Sequence, residues 1–191
     1  MEQKAHQEEN TKEINDLYCA IGEFVIEFEQ VCFAISMNIS ITLLANGLEN
    51  ANIGHIFLAG MTASPLGEIF SSLIPEVKNL DQQEKTIVKQ IFSRFQALFQ
   101  KRNDIIHATW FLPLNANSME FETANGIKFH KSKKGFEIKN LKYTVKTFKE
   151  LTAEAKTLRA IFYRLGVCIY DDYDIKDNFF IDADGNVSEQ F

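Results

Sequence analysis

Cysteine is scarce in this chain and never paired: Cys19, Cys32 and Cys168 lie far apart, each in an apolar helical context, with no Cys-x-x-Cys among them. That argues against a disulfide framework or a zinc–thiolate site and fits buried thiols in a reducing compartment. No secretory leader is expected either, since the stretch from Met1 to Asn10 is polar and acidic. The most apolar long run, Val31 to Leu48, is broken by Ser36, Asn38, Ser40, Thr42 and Asn46. A membrane span would leave such groups unsatisfied in hydrocarbon, so no membrane association and a soluble, cytoplasmic protein are expected. Positive charge is in deficit, with a net of −6. This excludes a protein that simply coats nucleic acid, yet leaves room for a local basic site. Internal repeats and low-complexity tracts are absent.

What is present is an ordinary globular composition. The chain has 191 residues, 46% apolar and 24% charged, enough for one domain or one domain with an appendage, and for a real core. Phenylalanine is abundant, with 17 residues, so the core is expected to be aromatic-rich. From Thr11 to Asn46, apolar side chains at Ile14, Leu17, Tyr18, Ile21, Val25, Phe28, Cys32, Ile35, Ile39 and Leu43 recur in steps of three and four. That spacing predicts one long helix or two abutting ones. Glu13, Asp16, Glu23, Glu27 and Glu29 give it an acidic outer face, and Asn46-Gly47 is a C-terminal signal. Some 36 residues of helix would run about 50 Å, a length that suggests dimerisation.

A short apolar helix is predicted over 53–61. Another opens with Ser64 as its cap and Pro65 at its first position, and is ended or kinked by Pro75. Asp81 and Glu84 form a capping box that starts the next helix. Its stripe runs through Ile87, Val88, Ile91, Phe92, Phe95, Leu98 and Phe99 to Ile105 and Ile106, and Pro113 limits it. From Leu114 the pattern alternates. Turns are predicted at Asn125-Gly126 and Lys134-Gly135, with two or three short strands over 118–140. Helix resumes at a capping box of Thr147 and Glu150 and runs to Leu165-Gly166. Residues 171–191 are acidic and poor in pattern, and within them Asp182 to Asn186 read as a solvated turn or short hairpin rather than a calcium loop. The expected architecture is mainly α: an antiparallel helical bundle over 1–170, a small β-hairpin insertion at about 114–141 before the last long helix, and an acidic C-terminal tail over 171–191.

The stretch from Phe99 to Trp110 carries the candidate chemistry, with Arg102, Asn103 and His107 in one short segment. Residues five apart on a helix are displaced by roughly 140°, so Arg102 and His107 do not stack, whereas Asn103 and His107 share a face. One helix makes a poor site from these three; two crossing at a two-fold axis could pool both sets. Asp104, beside them, reads as a surface charge. His6 lies in a frayed terminus, and His55 and His130 have no partners at ligand spacing. Neither a metal nor a cofactor is therefore assigned. From Lys128 to Lys149 there are eight lysines and one acid, Glu137. Lys128, Lys131, Lys133, Lys134 and Lys139 could hold an RNA backbone, with Phe129, Phe136 or Tyr143 available for stacking. An edge hairpin blunted by lysine against aggregation reads equally well.

A long acidic-faced helix, a further helical pair, then a helix ending in Arg102-Asn103-Asp104-Ile105-Ile106-His107 resembles the HEPN superfamily (higher eukaryotes and prokaryotes nucleotide-binding). Its hallmark is Arg, a polar residue, and a His after four to six intervening positions. Ala108 stands where many relatives carry glycine. The likeness covers roughly Thr11 to Gly166, with the β segment as an insertion. It implies a metal-independent endoribonuclease acting as a homodimer with a composite site, the toxic arm of a toxin–antitoxin or antiphage system with an antitoxin protein as partner. On that footing His107 would transfer protons, Arg102 would hold the phosphate and Asn103 would orient either. The alternative within the same superfamily is a catalytically inactive dimeric adaptor or binding module.

Overall fold

A computed structural model describes residues 2–111, 123–132, 135–183 and 185–190. Its elements, in order, are α1 (Glu2–Ala45), α2 (Ala51–Leu58), α3 (Ala63–Val77), α4 (Gln82–Ile106), β1 (Thr109–Phe111), β2 (Thr123–Ser132), β3 (Gly135–Thr144), α5 (Val145–Tyr170), α6 (Ile175–Asn178), β4 (Phe179–Ile181) and β5 (Val187–Glu189). The expected mainly α fold with a small antiparallel insertion before the last long helix is what forms. Two compact units divide the chain: Met1–Glu27 with Gln100–Glu154, and Phe28–Phe99 with Ala155–Phe191.

The second unit is built on phenylalanine, as the composition implies. Phe162 of α5 sits 5.5 Å from Phe92 and 5.7 Å from Phe95, both on α4, and 6.3 Å from Phe70 on α3. Phe28 of α1 stacks on Phe95 and Phe99. Edge-to-face pairs of this kind add a modest increment beyond the area they bury. Polar side chains of α1 are buried with them. Asn38 donates from Nδ2 to the Phe162 carbonyl at 2.7 Å, so its amide is satisfied where burial would otherwise be costly. By length and composition alone, the stretch Thr11–Ala45 could cross a membrane; half of its most apolar window is buried inside the protein.

Several boundaries differ from expectation, each for a local reason. The first helix begins well ahead of Thr11, because residues 2–10 are rich in Glu, Gln, Lys and Ala, all good helix formers. It ends where expected: Gly47 has φ of 100° and the Leu48 N–H donates to the Leu43 carbonyl at 3.0 Å. Thr62, not Ser64, occupies the cap of α3; the Ser64 hydroxyl donates instead to Glu68 at 2.9 Å. Pro75 does not end that helix, which continues to Val77; so close to the end, few hydrogen bonds depend on the missing N–H. Gly166 does not end α5 either, which runs to Tyr170. The glycine lets Asn38 lie against the helix, since a Cβ there would overlap the Asn38 side chain.

The capping box of α4 forms as predicted. Glu84 Oε2 accepts from the Asp81 N–H at 3.0 Å and the Glu84 N–H donates to Asp81 Oδ1 at 2.9 Å. The other carboxylate oxygen of buried Glu84 accepts from the Ile175 N–H at 2.8 Å. This bond helps to tie down 171–191, read from the sequence as an acidic C-terminal tail. Ile175, Phe179 and Val187 are buried, Lys78 pairs with Asp172 at 2.6 Å, Lys176 with Asp81 at 2.8 Å, and Arg94 donates to the Val187 carbonyl. The hairpin anticipated within it is β4–β5.

In the first unit, β1, β2 and β3 form an antiparallel sheet in that order. The predicted Asn125-Gly126 turn lies inside β2 instead, paired with Phe111 and Trp110. Gly126 is bare because the Trp110 ring covers it: a Cβ would stand 3.0 Å from the indole. Lys134 of the predicted Lys134-Gly135 turn lies outside the described residues; Ser132 faces Gly135 across the strands. Helix α5 starts earlier than expected, and Thr144 is its cap, accepting from the Thr147 N–H at 3.1 Å. Of the three thiols, Cys32 and Cys168 are buried as expected but Cys19 is exposed.

The Gly166 contact generates a stability prediction. Gly166→Ala should lower the urea midpoint at unchanged m-value, by an amount equivalent to about 2 kcal/mol, since the added methyl must displace the buried Asn38 amide. A variant as stable as the parent would show that the close approach is not needed.

Candidate functional site

The motif occupies the last turn of α4 and the residue beyond it. Arg102 and Asn103 are half-buried and His107 is exposed, just past the helix end. The His107 N–H donates to the Asn103 carbonyl at 3.2 Å, which places these residues one turn apart on one face. Arg102 Nη1 lies 3.5 Å from Asn103 Oδ1, at the outer limit of a hydrogen bond. The structure thus brings Asn103 next to both of its neighbours in the motif.

Asp104 is not the surface charge expected of it. It is buried, with Lys128 Nζ 3.0 Å from Oδ1 and Lys139 Nζ on Oδ2. Those lysines are directly opposed on β2 and β3, on one face of the sheet, so their stems converge on a single carboxylate. Burial pushes the Asp104 carboxyl up, but the hydrogen bonds from Lys139 and Lys128 and their positive charge outweigh it. Its pKa consequently lies below the ordinary carboxylate value.

This arrangement also reassigns the lysines read as RNA contacts. Lys128 and Lys139 are engaged by Asp104, and Lys128 donates in addition to the Asn103 carbonyl at 3.1 Å. Lys131 is exposed on the opposite face of β2; Lys133 and Lys134 lie outside the described residues. Tyr143, a candidate for stacking, is buried on Phe148 and Trp110 instead. Phe129 and Phe136 are exposed.

Satisfying the carbonyls at the end of α4 is a structural task that Arg102 and His107 could have served. Side chains outside the motif take part in it. Lys128 takes the Asn103 carbonyl, and the indole N–H of Trp110 donates to that of Ile105 at 2.8 Å. Sequence reasoning missed Asp104 and Trp110 as the organisers of the site. The helical spacing carried no signal for Asp104, which lies on the side of α4 opposite the apolar stripe.

Elsewhere in the same unit, a groove of about 600 Å³ is lined by Glu13, Asp16, Thr144, Val145, Lys146 and Lys149. Its two acids and two lysines balance, so it carries no preference for an anion. Among the described residues, no group of three or more His, Cys, Asp or Glu is placed to hold a metal ion. No protein-family model, curated protein or solved structure matches this chain significantly.

The clamp around Asp104 predicts a pH-dependent effect. Because its folded-state pKa is lowered, its contribution is present above the unfolded value of about 4 and lost as pH falls through the folded value. Asp104→Asn should therefore cost about 2–3 kcal/mol at pH 7, where Lys128 is left buried without its counter-charge. The gap to the parent should shrink progressively below about pH 4. Trp110, the only tryptophan, lies against Tyr143 and Phe148 in this unit, so its fluorescence can follow unfolding. A gap of the same size at low pH would contradict the assignment.

Proposed function

We propose that this chain is a metal-independent endoribonuclease of the HEPN type, with Arg102, Asn103 and His107 as the working half of a site completed by a second copy. The observation that supports it is the division of labour at the end of α4. The side chains of Lys128 and Trp110 donate to two of the helix carbonyls while His107 stands exposed beyond them.

The chemistry follows from the residue types. One His107 imidazole accepts the proton of a ribose 2′-hydroxyl, and the 2′-oxygen attacks the adjacent phosphorus. Arg102 offers a planar, permanently charged fork to the non-bridging oxygens as negative charge builds there. The bond to the 5′-oxygen breaks, and the second His107 returns a proton to that oxygen. The products are a 2′,3′-cyclic phosphate and a free 5′-hydroxyl. Asn103 orients the imidazole or the phosphate. A toxin or antiphage role in the cytoplasm, with an antitoxin as partner, belongs to the same proposal by family analogy alone.

A non-catalytic adaptor is the second reading. The observation favouring it lies in the other unit, where α2 exposes Ile56 and Phe57, 73% and 70% accessible; exposed apolar side chains of this kind mark docking surfaces.

Mutation separates the two. His107→Ala should reduce RNA cleavage by about 10²–10⁴-fold while leaving the fold intact. When parent and His107→Ala subunits are mixed and allowed to exchange, activity should fall as the square of the parent fraction, because each site needs both histidines. A linear fall would mean that each chain acts alone, and an undiminished His107→Ala protein would remove His107 from the mechanism.

A further inference from the structure

The two faces of the three-stranded sheet have different chemistry, and the register sorts them. On the inner face lie Trp110 over Gly126, the buried Ala124, Leu141 and Tyr143, and the lysine pair on Asp104. Phe111, Phe129, Lys131, Phe136, Ile138 and Lys142 share the outer face, because each faces or alternates with the others in register. The three phenylalanines are 54%, 65% and 69% accessible. Phe129 and Phe136 sit together, ring centroids 6.3 Å apart and tilted by 41°. The one acid of the hairpin's described residues, Glu137, faces His130 on the inner side.

Lys128 and Lys139 turn inward to Asp104, while the Phe111, Phe129 and Phe136 rings turn out. Exposed aromatic rings interleaved with cations, without an acid among the described residues of that face, suit a ligand with flat apolar groups on an anionic backbone. We infer that the outer face of this sheet is a stacking platform for single-stranded RNA, with bases on Phe129 and Phe136 and a phosphate on Lys131. A duplex would not do, because its bases are stacked on one another and closed to the rings. The face also adjoins the proposed catalytic residues in sequence: Thr109, which shares it through its pairing with Ile127, is two residues beyond His107. The choice of RNA over DNA rests on the ribonuclease reading; the platform itself does not.

The test is fluorescence anisotropy of the full chain with a labelled 2′-O-methyl single strand of about 12 nucleotides, which cannot undergo 2′-oxygen attack. Phe129→Leu and Phe136→Leu should each weaken binding by about tenfold, because leucine keeps the apolar surface but loses the ring. Phe129→Trp and Phe136→Trp should bind within about twofold of the parent. Lys131→Ala should reduce the slope of log K against log salt by about 0.7, the value for one single-strand phosphate. The platform is overturned if the leucine variants bind like the parent, or if a duplex of the same sequence binds as tightly as the single strand. It is equally overturned if the leucine variants lose self-association or binding to anionic phosphatidylserine vesicles while holding the strand unchanged. Failure of the two readings is separable. A parent that binds the strand but does not cleave unmodified RNA sinks the ribonuclease and leaves the platform. A parent that cleaves RNA while its leucine variants bind normally does the reverse.

Discussion

One buried carboxylate holds the candidate site together. Asp104 sits inside the first unit with Lys128 and Lys139 on its two oxygens. A carboxylate taken out of water costs several kcal/mol unless its charge and lone pairs are met in full, so both lysines must be in place. That requirement fixes the register of the hairpin. A slip of one residue between β2 and β3 would put Lys128 and Lys139 on opposite faces of the sheet, so that only one of them could reach Asp104. The same contact ties the last turn of α4 to the sheet, because Lys128 also holds the Asn103 carbonyl. With Lys128 and Lys139 turned inward to Asp104, the alternating residues Phe129 and Ile138 face outward.

The second unit rests on a different device with the same logic. Glu84 closes the capping box at the start of α4 and uses its remaining oxygen on the Ile175 backbone. Asn38 reaches the Phe162 carbonyl across a gap that only a bare Gly166 leaves open. In each case a buried polar group has its partner, and the partner comes from a distant part of the chain. The helix carrying the motif therefore begins in one such contact, at Glu84, and ends in another, at Asp104.

What could be read beforehand was what is local. The stripe through Ile87, Ile91, Phe95 and Leu98 announced α4, the Asp81–Glu84 spacing announced its cap, and Asn46-Gly47 announced the end of α1, because each depends on residues within a turn or two. What could not be read depends on partners far along the chain. Asn125-Gly126 has the composition of a turn, but Trp110 needs that glycine bare in mid-strand. Gly166 has the composition of a stop, but Asn38 needs it in mid-helix. Asp104 looked like a surface acid because its two lysines lie 24 and 35 residues away. The motif residues themselves were legible from their types and spacing. Which lysines turn toward Asp104 and which toward solvent required the register.

The central claim is a reaction, and the ends of the cleaved RNA report on it most directly. Incubation of the purified chain with unmodified RNA in excess chelator, followed by analysis of the termini, distinguishes attack by the 2′-oxygen from attack by water. Cleavage that persists in chelator and leaves 2′,3′-cyclic phosphate and 5′-hydroxyl ends is the predicted result. Cleavage that needs a divalent cation, or leaves 3′-hydroxyl and 5′-phosphate ends, would contradict it.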